Sequence, residues 1–149
     1  MRSPLALLLA VALLMSGNAS GQDTHTPKVG SPERQAICDA ARSFVIGKYA
    51  TGKLPQPIVF KIDHFLVASD YANFEAIPIF KDGSYIEGDL LPDIGYNFCL
   101  RKNGGAWTVI ADLSRSDVPD GSELAGLRQK LEGFPRKLLS ADWRRMLGN

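Results

Sequence analysis

Between Ile58 and Ala111 the chain carries four segments with the alternation of β-strands, and the first and last pairs are joined by turns of two or three residues. Connections that short build antiparallel hairpins, because a parallel pair needs a crossover of about a dozen residues or more. Ile58, Phe60 and Ile62 alternate on one face, and the run Phe65-Leu66-Val67 then breaks the alternation, which predicts a bulge or an inward shift. Ser69-Asp70 turns the chain, and Tyr71 to Phe80 returns with Ala72, Phe74 and Ala76 in phase. Pro78 places the far end of that strand at an edge or a bulge, since proline brings no ladder donor. Tyr96 to Arg101 is the third strand and Ala106 to Ala111 the fourth, with Trp107 and Val109 alternating toward the core. Asn103-Gly104-Gly105 closes the hairpin between them, because glycine tolerates the positive φ of a tight turn.

A helix precedes the strands. Ser31 is its N-cap, Pro32 its first helical residue, and Glu33 supplies acid to the first turn. Ile37, Ala40, Ala41, Phe44, Val45 and Lys48/Tyr49 recur at helical spacing, Cys38 lies on one edge of that stripe, and Thr51-Gly52 ends the helix. Pro55 and Pro57 then hold the chain extended, and Lys81 to Asp93 forms a polar loop before the third strand. Two helical pieces, Ser122 to Leu131 and Ala141 to Leu147, close the chain around Gly133-Phe134-Pro135. The expected fold is α+β: an N-terminal helix packed on a curved four-stranded antiparallel sheet, cystatin-like or nuclear-transport-factor-like in shape, with short C-terminal helices. Residues 31–149 form one domain on this reading, as a single core suits that length.

The N-terminus reads as a signal peptide, residues 1–21. Arg2 is followed by the apolar run Leu5 to Met15 and then by small residues. Eleven apolar residues are too few for a membrane span, which needs about 20. Cleavage is expected after Gly21 or after Ala19. Asn18 stands where a lipoprotein would carry its lipidated cysteine, so the mature chain is expected to be periplasmic or secreted, without a membrane anchor. Residues 22–30 are polar and aperiodic and read as a flexible linker. Arg2 is the only charge before Asp23, leaving 16 basic against 16 acidic side chains beyond it. That balance provides no electrostatic pull toward nucleic acid.

The residues capable of chemistry are few. Cys38 and Cys99, an even count in an exported chain, are expected to form one disulfide, with two buried thiols as the alternative. His64 follows Asp63, but neighbours on a strand point to opposite faces, so the two are poorly placed to share a proton. A structural role or a binding contact suits His64 better than catalysis. Asp82, Glu87, Asp89 and Asp93 enrich the long loop in carboxylates, yet their spacing fails the twelve-residue calcium pattern. Neither a metal nor a cofactor is expected. Arg136, Lys137, Arg144 and Arg145 form a basic C-terminal group near Phe134 and Trp143. This group and the acidic loop are the candidate docking surfaces.

Three stretches carry a resemblance: Ser69-Asp70-Tyr71-Ala72-Asn73-Phe74, the run Phe98 to Val109 with its Gly104-Gly105-Ala106-Trp107 hairpin, and Ser116-Asp117-Val118-Pro119. From Arg34 to Pro119 the chain resembles a family of small exported bacterial α+β proteins. Tyr71 stands where a tryptophan is usual, Asn73 is polar, and Cys99 is a departure. The resemblance implies a compact exported domain and supplies no catalytic set. The expected function is a non-enzymatic protein-binding domain with a partner in the cell envelope, an inhibitor or immunity protein of an envelope-active toxin. The alternatives are a small-ligand-binding periplasmic protein, and an envelope-polymer hydrolase using His64 with Asp63, Asp70 or Asp117.

Overall fold

The computed structural model describes residues 23–148; the expected signal peptide and Gln22 lie outside them. Helix α1 spans Pro32–Tyr49, and strands β1 (Ile58–Ala68), β2 (Tyr71–Phe80), β3 (Tyr96–Asn103) and β4 (Ala106–Asp112) follow. Helix α2 (Gly121–Lys130), a 3-10 turn (Arg136–Leu138) and helix α3 (Ala141–Leu147) complete the described chain. The strands form an open antiparallel meander in the order β1-β2-β3-β4. This is the expected α+β arrangement. Among the described residues no helix is long and apolar enough to cross a membrane.

Local chemistry accounts for the boundaries. The Ser31 side chain accepts from the Arg34 amide at 3.2 Å and starts α1 just before Pro32. Asp120 and Glu123 form a reciprocal capping box that starts α2, a signal two residues upstream of the expected start at Ser122. Gly104 and Gly105 have φ of 55° and 84°, so the β3–β4 hairpin needs the left-handed region that glycine enters freely.

Two bulges decide which side chains face which layer. The β1–β2 register shifts between Ile62 and His64, leaving Asp63 as the extra residue. Beyond it Phe65 and Val67 join Ile58, Phe74, Phe98 and Leu100 in the cluster covered by Ile37, Ala41 and Val45 of α1. The second shift, between Cys99 and Leu100, pairs Cys99 with Ala111 and Leu100 with Val109, so Ile110 is extra. Ala111 thereby joins Cys99, Leu113, Leu127, Leu131, Phe134, Leu138 and Trp143 in a second cluster. The sheet separates the two cores, α1 covering one face and the C-terminal elements the other.

This division overturns the expected disulfide. Both cysteines are free thiols. Cys38 packs at the rim of the α1 core, whereas Cys99 alternates with Phe98 and Leu100 and belongs to the opposite core. The sheet stands between the sulfurs. Burial pushes the Cys99 thiol up to about 12 and raises Cys38 as well, so neither is an activated thiolate. The melting temperature should therefore be the same with and without dithiothreitol. A thiol reagent should titrate two groups in the denatured protein and react slowly with the native one. A reductant-dependent drop in melting temperature would refute the arrangement.

The segment expected to be a flexible linker is also anchored where described. His25 exchanges two backbone hydrogen bonds with Val67 at 2.9 and 2.8 Å, and Arg34 donates to the Pro27 carbonyl at 3.0 Å. Residues 23–29 thus cover part of the outer edge of β1. Polarity and missing periodicity concealed this, because a single β-bridge requires no hydrophobic pattern.

Asn73, a polar residue in a core strand, is fully buried. Its Nδ2 donates to Asn97 Oδ1 at 2.7 Å and to the Phe98 carbonyl at 3.0 Å, and Asn97 Nδ2 donates to Glu75 at 3.2 Å. The amide ladder ties β2 to β3 on the face that also carries Cys99.

Candidate functional site

The expected site residues fall into two separate regions. His64 Nε2 donates to the Leu138 carbonyl at 2.6 Å, which sets the neutral ring as the Nε2–H tautomer and pins β1 to the 3-10 turn carrying Arg136 and Lys137. His64 and two of the basic residues are therefore brought together. Asp63 sits at the bulge, Asp70 in the β1–β2 turn and Asp117 in the loop before α2. None of the three carboxylates is hydrogen-bonded to His64, so no acid–base couple is assembled there in this structure. On α3, Arg145 pairs with Asp142 one turn away, and Arg144 is exposed.

The acidic loop is stitched down at the other end of the sheet. Leu91 is buried, and Ile86, Leu90 and Ile94 are half-buried against the α1 core. Asp82 accepts from the Ser84 hydroxyl at 2.6 Å, the Ser84 amide at 2.9 Å and Gln56 Nε2 at 3.1 Å, and these bonds hold its carboxyl below the ordinary range. The Glu87 carbonyl accepts the amides of Leu90 and Leu91, and the Asp89 carbonyl accepts the Thr51 hydroxyl at 2.5 Å. Asp93 is exposed. Among the described residues no group of three or more His, Cys, Asp or Glu side chains is placed to hold a metal ion.

Two features had no sequence signal strong enough to single them out. The first is a polar knot where α1 meets β4. Asp112 Oδ2 accepts from Lys48 Nζ at 2.5 Å and from the Tyr49 hydroxyl at 2.6 Å, while Oδ1 accepts the Ser114 amide at 2.9 Å. Burial alone would raise the Asp112 carboxyl, but the bonds from Lys48, Ser114 and Tyr49 outweigh it and hold it below the ordinary range. Tyr96, in ring contact with Tyr49, donates to the Pro92 carbonyl at 2.8 Å, and burial pushes its phenol up to about 12. With the carboxylate saturated and the phenols kept protonated, the knot fastens α1 to the sheet.

The second is an open groove of about 440 Å³ between the C-terminal half of α1 and the 52–57 segment. Ile46, Leu54, Pro55 and Pro57 line it, with Arg42 and Lys53 as its only charged lining residues. Ile46 lies off the buried stripe of α1 and is 43% exposed. The wall is held rigidly. Thr51 donates its amide to the Leu90 carbonyl at 3.2 Å, the Lys81 amide donates to the Pro57 carbonyl at 3.1 Å, and Arg42 Nε donates to the Ile58 carbonyl at 2.8 Å.

The chain matches no protein-family model, no curated protein and no solved structure.

What the arrangement can do therefore follows from its own geometry. The space between α1 and the sheet, where a ligand-binding cone would lie, is filled by aromatic side chains in edge-to-face contact: Phe44 with Phe98, Tyr49 with Tyr96, and Phe74 with both Phe60 and Phe65. Both sheet edges carry bulges, at Asp63 and Ile110, and bulged edges are poor templates for strand addition.

Proposed function

We propose that this chain works outside the cytoplasm as a non-catalytic protein-binding domain, an inhibitor or immunity protein directed at a partner in the cell envelope. The observation that carries this reading is the division of labour among its side chains. His64, the Asp112 knot and the carbonyls of the acidic loop serve the fold, while a rigid wall keeps apolar surface open to solvent beside α1. A preorganised surface lowers the ordering cost of association, which is what a tight inhibitor requires. The apolar run Leu5 to Met15 and the small residues after it support export.

The test begins with the full chain expressed in a bacterial host. The exported form should begin at Ser20 or Gln22 by mass spectrometry. Tagged protein should then retain an envelope component, or the product of a gene encoded alongside, that re-forms a stoichiometric complex from purified parts. Retention of the uncleaved chain in the cytoplasm, or the absence of any reconstituted complex, would overturn the reading.

A further inference from the structure

We infer that the groove between α1 and the 52–57 segment is the docking site for that protein partner, and that it takes a peptide segment with apolar anchors flanked by Asp or Glu. The inference rests on the protein-binding reading and specifies its surface and its chemistry. Charge complementarity selects the occupant. Both charged lining residues are cations. Arg42 spends Nη1 on Asp39 and Nε on the Ile58 carbonyl, which leaves Nη2 for a ligand. Lys53 is exposed and makes no hydrogen bond or ion pair among the described residues. Asp82 of the acidic loop is already held by Ser84 and by Gln56 of the groove wall. An apolar floor with an unspent cation at its rim fits an apolar segment bearing a carboxylate.

The shape favours a peptide over a free amphiphile. Pockets for small ligands enclose roughly 70–90% of the ligand surface, whereas this groove is open along its length. A peptide needs to bury only one face, as amphipathic segments do when they lie in an apolar groove. The two prolines and the hydrogen bonds from Thr51, Arg42 and Lys81 keep the wall in place without a ligand. Ile46 lines the groove and keeps part of its side chain open to solvent, where an apolar anchor can pack on it.

The experiment uses the exported chain and a phage-displayed library of random 12-residue peptides, with enriched sequences resynthesised carrying a fluorescein label. The variants are Ile46→Asp and Lys53→Glu, both at exposed positions, so both should stay folded, Ile46→Asp with a small fall in melting temperature for an acid near the C-terminus of α1. Expected binders combine apolar residues with Asp or Glu and weaken about tenfold or more on each variant, the size of one lost anchor or one reversed charge. Enrichment of basic sequences, binding indifferent to both substitutions, or no binders would overturn the assignment. So would saturable binding of dodecanoate in place of peptides, or a dimer of the chain that Ile46→Asp dissolves. A partner complex that survives both substitutions removes the groove and leaves the protein-binding reading standing; the absence of any partner complex removes that reading itself.

Discussion

Replacing Trp143 with alanine should lower the unfolding free energy by about 3–5 kcal/mol, the usual cost of deleting a large buried aromatic. Trp143 is 6% exposed and packs among the leucines of the second core. The Arg115 guanidinium lies over its ring at 5.7 Å, with Nη2 paired to Glu123 at 3.1 Å and with Nε and Nη1 buried without partners. Removing the indole opens a cavity and strips the apolar cover from that cation. It also removes the anchor of α3, whose seven residues are too few to stay helical alone. At roughly 3 °C per kcal/mol for a domain of this size, the melting temperature should fall by roughly 10 °C. Trp143→Phe should recover most of the loss. A fall of less than about 3 °C for Trp143→Ala would mean that the C-terminal layer is not part of the cooperative unit.

The second large effect is expected at Asp112. Asp112→Ala should cost about 2 kcal/mol, because the Tyr49 hydroxyl and the Ser114 amide each lose a half-buried acceptor. The Lys48 ion pair adds little to that sum, since its ammonium is half-exposed and screened. The sign of the pH dependence follows from the lowered carboxyl. Below the ordinary carboxylate range the unfolded chain binds a proton that the folded chain does not, so stability falls with falling pH across that window. The contribution is fully present above the ordinary carboxylate pKa and is lost as pH drops through the lowered one. Denaturant melts of wild type and Asp112→Asn should therefore be furthest apart near neutral pH and converge in acid. Lys48 titrates with the opposite sign: its hydrogen bond to Asp112 raises its pKa, so its contribution is lost as alkaline pH passes through that raised value. Curves that stay parallel from neutral pH into acid would remove Asp112 from the knot.

The legible part of the fold was the part written in short-range patterns. The α1 stripe reads directly from Ile37, Ala41 and Val45, and all three are buried. The break at Phe65-Leu66-Val67 foretold a bulge, which lies two residues earlier, at Asp63, and turns Phe65 and Val67 toward α1. Pro78 sits opposite Phe60 in the part of β2 that extends past the last β3 pair, Ala76 with Tyr96, as an edge position requires. The bulge at Ile110 left no comparable trace. Ala111 is small enough to suit either face, so nothing in its identity reveals which core it joins.

The candidate site was far less legible, and for one reason. The groove takes Ile46 from α1, Leu54 and the prolines from a loop, and its support from Leu90 and Lys81 further along the chain. No local period links such residues. Of the charged residues singled out in the sequence, Asp82 is spent on the Ser84 turn and Arg145 on an ion pair with Asp142, because a charged side chain near a backbone amide or an opposite charge is satisfied locally.

The helix, the four strands, their antiparallel order and the positions of the sharp turns are written in local sequence. Each of those depends on neighbours within a few residues. Long-range packing sets on which side of the sheet each cysteine lies, where the C-terminal helices pack, and which apolar surface stays open. Those outcomes depend on side-chain parity carried through two bulges, and a one-residue shift in a strand exchanges its faces.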